Sequence, residues 1–347
     1  MIRPPALHPG SHLAAISLSW GGPGAVPHRY DAGVRQLEQT FDVTVTPTQH
    51  ALKDPEWLSR NPESRAHDLM PAFLDPDIDG IVSTIGGDDS IRLLPYLDLD
   101  IIAANPKVFI GYSDTTVSHL ACYKAGLTSF YGPAIMAGFA ENGGMFPYTI
   151  ESVRSTLFSA QEQGAIPENR DGWTVERLEW NDPANQERPR KTSTPDGWRY
   201  LQGSGTSEGH LLGGCLDVLK WLIGTSVWPD NHAWQGAILF IETSEDCPPP
   251  REVIAFLRKL AAMGILKALN GVWFGRPGGH LLDPDQFVDY DNAILQVVAE
   301  EEGLTDLPIV TRMDFGHTDP MFVIPYGVRA RIDSDNRTVS LLEPTVS

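Results

Sequence analysis

The chain reads as an α/β protein of two domains, the first built on a mostly parallel sheet and the second on a mixed one. Short apolar runs alternate with helical patterns through the first part, which is the pattern of strand–helix–strand units. The last part repeats that alternation and ends in closely spaced strands, at Pro308–Arg312, Val328–Ile332 and Val339–Leu342. At 347 residues, 41% of them hydrophobic, the chain is long enough for two self-sufficient cores.

In order, His12–Ser19 predicts a strand ending in the turn Trp20-Gly21-Gly22-Pro23-Gly24. Asp31–Gln39 predicts a helix, Asp42–Thr46 a β-branched strand and Pro62–Leu74 a second helix. Gly80–Ile85 is an apolar strand that runs into Gly86-Gly87-Asp88-Asp89-Ser90. Lys107–Tyr112 is another, broken at Ser113, after which Val117–Lys124 is helical and Gly126 closes the helix. The segment 161–206 is polar yet holds Trp173, Trp180 and Trp198, so it reads as an ordered loop between an N-terminal domain at 1–160 and a C-terminal one at 207–347. Leu211–Ile223 is expected to be helical after a turn at Gly213-Gly214. The strand Gly236–Ile241, the helix Arg251–Met263, the strand Gly271–Phe274 and the helix Phe287–Glu300 follow.

The formal charge of −19 makes phosphate backbones and anionic lipid poor partners, so neither nucleic acid nor a membrane is expected. Cys122, Cys215 and Cys247 are odd in number and far apart, which predicts neither a disulfide framework nor a metal site. The N-terminus lacks a signal pattern, and the expected compartment is the cytoplasm.

A strand that turns abruptly into a helix presents Ser113 at the carboxyl edge of the sheet, where open α/β sheets bind ligands. Ser113 is then either a nucleophile on an elbow or simply the helix N-cap. The Gly86-Gly87 turn lets backbone amides approach a ligand closely, and serves either an oxyanion hole together with the N–H of Asp114 or the binding of a phosphate. His317, flanked by Gly316 and Pro320, and His280 both follow strands and are the candidate bases. His119 lies inside the helix after Ser113 and faces away. Glu242 ends an apolar strand, where the carboxylate of a triad belongs; Glu245 and Asp246 are its rivals. Cys215 is either a nucleophile before a helix or a buried apolar residue.

Five segments taken together resemble one family. They are Gly86–Ser90 with Leu93–Asp98, Gly111–Asp114 with Tyr131-Gly132-Pro133, Gly209–Gly214, Ile241–Glu245, and Gly316–Pro320 with Pro325-Tyr326-Gly327. Their order is that of the LD-carboxypeptidase family of serine peptidases, and the chain is more similar to its microcin C self-immunity branch. The resemblance runs from Leu13 to Leu342. It implies a flavodoxin-like N-terminal domain and a swivelling β/β/α C-terminal domain. It further implies a triad of Ser113, His317 and Glu242, oxyanion amides from Gly86, Gly87 and Asp114, a homodimer, and no metal or cofactor. Its substrates would be a murein tetrapeptide losing D-alanine, or a peptidyl- or aminoacyl-nucleotide cut at its amide. The tryptophan-bearing insertion favours the second, with Trp180 stacking on the nucleobase and Trp173 behind it. Cys215 stands where the family usually has asparagine, so it is expected to touch substrate. Arg276 or Arg312 would receive a substrate carboxylate. Two readings outside this class stay open: a nucleotide-dependent kinase using the Gly-Gly-Asp turn, and a non-catalytic sensor.

Overall fold

The computed structural model describes residues 1–347 and contains two sheets. The first has six strands in the spatial order Thr44–Pro47, His12–Ile16, Gly80–Ser83, Val108–Gly111, Phe130–Tyr131, Ile324–Pro325. The first five are all parallel. In chain order they run 2-1-3-4-5, the flavodoxin-like winding, which opens its ligand crevice at the carboxyl ends of the strands. Gly80–Ser83 and Val108–Gly111 are buried along their whole length, as strands covered on both faces must be. The sixth strand comes from the far end of the chain and pairs antiparallel with Phe130–Tyr131. The C-terminal part therefore returns one strand to the first sheet.

The second sheet has eight strands, in the order Gly164–Ala165, Thr338–Leu341, Arg329–Asp333, Thr206–Cys215, Ile238–Glu242, Gly271–Gly275, Ile309–Met313, Arg199–Gln202. Its fourth to seventh strands are mutually parallel and the other pairings antiparallel, so the sheet is mixed as expected. The tryptophan-bearing segment supplies both edge strands, Gly164–Ala165 and Arg199–Gln202. It is sewn into the sheet, with a looped portion projecting between.

The turn expected at Gly213-Gly214 is absent. Thr206–Cys215 is one ten-residue strand, and the helix starts only at Leu216. Close approach, not chain reversal, demands the glycines. A Cβ on Gly213 would fall 1.6 Å from the carbonyl oxygen of Phe240 on the neighbouring strand. One on Gly214, whose φ is +141°, would strike Thr116 of the first domain's helix. Gly213 lets neighbouring strands of the second sheet lie together, and Gly214 lets that strand's end approach the first domain's helix.

Candidate active site

Loops from the carboxyl ends of both sheets converge on one cavity of about 720 Å3. From the first sheet come Trp20, Gly86 and Ser113; from the second, Glu245 and His317; from the insertion, Trp180 and Arg190.

Ser113 has φ +62°, the left-handed region that a side chain enters only when its surroundings fix it there. Its carbonyl accepts from the Thr116 hydroxyl at 2.7 Å, and its N–H donates to the Tyr131 hydroxyl at 3.0 Å. Held this way, Oγ does not cap the helix; it lies 3.0 Å from Nε2 of His317. Gly86 flanks it so tightly that a Cβ there would lie 2.9 Å from Oγ. The Gly86–Ser90 turn is fastened to the elbow: the Ser90 N–H donates to the buried Asp114 carboxylate and the Ser90 hydroxyl to the Asp114 carbonyl, both at 2.8 Å. Burial raises the pKa of the Asp114 carboxyl.

Glu242 is fully buried at the end of its strand, in register with Cys215 at the end of the next. One carboxylate oxygen lies 2.7 Å from Nδ1 of His317 and the other accepts from the Tyr131 hydroxyl. The polar atoms thus form a closed ring: Ser113 N–H, Tyr131 hydroxyl, Glu242 carboxylate, His317 imidazole, Ser113 hydroxyl. Burial would lower the pKa of His317, but Glu242 and Glu245 together hold it well above the ordinary histidine value. Burial, reinforced by Glu242, raises Tyr131 well above the usual phenol value, so it stays a donor.

The loop of His317 is fixed from the insertion. Thr174 and Asp319 exchange backbone hydrogen bonds at 2.7 and 3.0 Å. Arg190 pairs with both Asp319, at 2.6 Å, and Glu141 of the first domain. His119 is structural: it bonds Ser129 Oγ and the Gly111 carbonyl, and burial pushes its pKa down to about 3.

Four of the residues expected at the substrate stand elsewhere. Arg276 is buried, with its guanidinium on Asp314 at 2.8 Å and Asp196 at 2.9 Å, so no charge is left for a ligand. Arg312 is likewise spent on Asp291 and Asp196. Trp173 packs between Phe287 and the Arg276 guanidinium, away from the cavity. Cys215 is buried behind Glu242 and His317; burial raises its thiol far above the usual value, and it does not line the cavity. Cys215, Glu242 and His317 do bring three ligand-type atoms within 4.8 Å, but the last two already bond each other. Trp180 does line the cavity, with the Arg29 guanidinium 4.2 Å from its ring centroid and Trp20 at 6.4 Å.

Sequence reasoning missed Tyr131, Arg29 and Arg190. Tyr131 stood in a motif without a role, and its position beside Ser113 arises only from the parallel pairing of Gly111 with Tyr131. Arg29 binds the Met136 carbonyl and Asn142, makes no ion pair, and is lowered by burial to about 10. No local sequence signal separates it from a surface arginine on a helix.

The profiles for the LD-carboxypeptidase N-terminal and C-terminal domains match residues 13–132 and 208–332. The chain belongs to the LD-carboxypeptidase family. It is a serine hydrolase of the MccF-like kind. It is 36% identical over 292 residues to the microcin C7 self-immunity protein MccF of Escherichia coli, covering 82% of this chain and 80% of that one. A crystal structure of an MccF-like protein from Streptococcus pneumoniae in complex with AMP superposes with a TM-score of 0.86 at 32% identity, over 96% of this chain and 98% of the other. MccF in complex with aspartyl sulfamoyl adenosine gives 0.84 at 29%, with both chains covered in full. No helix is long and apolar enough to cross a membrane.

Proposed function

We propose that the enzyme hydrolyses the amide of an aminoacyl- or peptidyl-nucleotide by acyl transfer to Ser113. The observation that carries this reading is the hydrogen-bonded line Ser113–His317–Glu242, opening on a cavity whose outer wall is Trp180 stacked on Arg29. The hydroxyl of Ser113 attacks the acyl carbonyl as Nε2 of His317 takes its proton, and Glu242 stabilises the imidazolium. The backbone N–H of Asp114 and of the Gly86-Gly87 turn receive the oxyanion, an effect worth about 3–4 kcal/mol per donor. His317 returns the proton to the leaving nitrogen, and water then releases the acyl group by the same route in reverse.

Trp180 offers a π-face to a nucleobase, a contact worth about 1–3 kcal/mol. Arg29 takes the role first given to Arg276: it is the cavity's cation without a carboxylate partner, suited to a phosphate, sulfamate or carboxylate. The relatives bound to AMP and to aspartyl sulfamoyl adenosine support a nucleotide as the leaving portion. The family's description supports a second reading, release of D-alanine from a murein tetrapeptide. The kinase reading gains no support, because it leaves Glu242 and His317, aligned on Ser113, without roles. A cytoplasmic homodimer belongs to the same proposal.

The test offers the two substrates side by side. Cleavage of aminoacyl sulfamoyl adenosine with little release of D-alanine is expected. The reverse preference would install the murein reading in its place.

A further inference from the structure

Nε2 of His317 has two neighbours, and they make opposite demands on it. Ser113 Oγ stands at 3.0 Å and the carboxylate of Glu245 at 3.1 Å. Nδ1 already gives its proton to Glu242 at 2.7 Å. A neutral imidazole has one N–H, so a ring bonded to Glu242 through Nδ1 presents a lone pair at Nε2. A lone pair facing a carboxylate oxygen at 3.1 Å is repulsive; an N–H there is strongly attractive. Two carboxylates, one at each nitrogen, therefore select the imidazolium, the form that cannot accept the serine proton.

The geometry points to Glu245 as a latch on the general base: its carboxylate caps Nε2 of His317 and keeps the ring protonated until substrate displaces it. This rests on the acyl-transfer reading of Ser113 and His317 and adds a positioning residue to it.

The two carboxylates are not equivalent. Glu242 is fully buried at a strand end and tied to Tyr131, so it cannot leave. The Glu245 side chain is 68% exposed on the loop three residues further on, so it can swing into solvent. No other acid competes for Nε2. Asp319, on the ring's own loop, is paired with Arg190. The Cys215 thiol behind the ring is kept neutral by burial, and Tyr112, 4.9 Å from the ring, is a buried phenol held protonated. Asp246 and His280 line the same cavity without bonding the ring. Histidine protonation in turn holds the carboxyl of Glu245 down at about 2.

An acyl-nucleotide that fills the cavity occupies the space between Ser113 and Glu245. A negatively charged linkage would also repel the carboxylate. As Glu245 leaves, the ring releases its Nε2 proton to solvent and becomes the base, so the nucleophile is armed only with substrate in place.

The readout is the NMR titration of the His317 ring in the 15N-labelled protein, assigned by comparison with His317→Gln. In Glu245→Gln the ring pKa should fall by about one unit or more. The acid limb of kcat/KM, which reports the free enzyme, should move to lower pH with it, while the limb of kcat stays in place. Glu245→Asp should fall between the two. A ring titration that is unchanged or raised in Glu245→Gln would overturn the latch. Because that titration uses no substrate, its outcome is independent of whether Ser113 proves to be the nucleophile.

Discussion

The Tyr131 hydroxyl donates to the Glu242 carboxylate across the junction of the two sheets, and accepts from the backbone N–H of Ser113. One phenol thereby ties the acid of the second sheet to the serine elbow of the first. Tyr131→Phe leaves a buried carboxylate oxygen and a buried N–H unpaired, each worth about 1–3 kcal/mol. Hydrolysis should fall roughly ten- to a hundredfold in kcat while KM changes little. Steady-state kinetics with a thermal melt checks this; unaltered kcat would show that Tyr131 only fills space.

Gly86 stands beside Ser113 with no room for a side chain. In Gly86→Ala the new methyl would sit 2.9 Å from Ser113 Oγ and force the serine or the turn to shift. A displacement of that size at a reacting centre costs on the order of a hundredfold in rate. Folding should survive, since the turn is otherwise unaltered. Circular dichroism and turnover, measured on the same preparation, separate the two effects.

Arg190 joins the insertion, the first domain and the loop of His317 through Glu141 and Asp319. Removing one member of a buried ionic cluster leaves the others uncompensated, at about 3–5 kcal/mol. Arg190→Ala should lower the melting temperature by several degrees and reduce kcat by loosening the loop of His317. Limited proteolysis should then cut within residues 166–198 sooner than in the wild type.

The pH dependence has a definite sign. Glu242 and Glu245 outweigh burial and hold the imidazolium of His317 well above its ordinary pKa near 6.5. Acyl transfer as proposed needs the neutral ring, so kcat/KM should rise with pH through a value above 6.5. The protonated ring stabilises the fold, and that contribution is complete below about 6.5 and is lost as pH climbs through the folded-state value. Stability should therefore decline over the range where activity grows, which paired melts and rate profiles would reveal.

Much of this was legible in the sequence for a physical reason. A buried strand that breaks at a serine, and another that ends in a glutamate, are local patterns, and the fold brings both residues onto His317. The Gly213-Gly214 pair misled because glycine marks both turns and close backbone approach, and only the neighbouring Phe240 strand decides between them. Arg276 misled in the same way. A cation near a strand end looks available until its partners Asp196 and Asp314, far away in sequence, are brought onto it. Trp173 and Trp180 lie seven residues apart in one polar segment, yet one is an anchor and the other a cavity wall. Composition cannot divide those roles; the folding of the insertion across the sheet edge does.

The central claim is that one hydroxyl carries the acyl group. Ser113→Ala, incubated with aminoacyl sulfamoyl adenosine and followed by chromatography, should bind the ligand as the wild type does and release no sulfamoyl adenosine beyond background. Wild-type turnover by that variant would contradict the account.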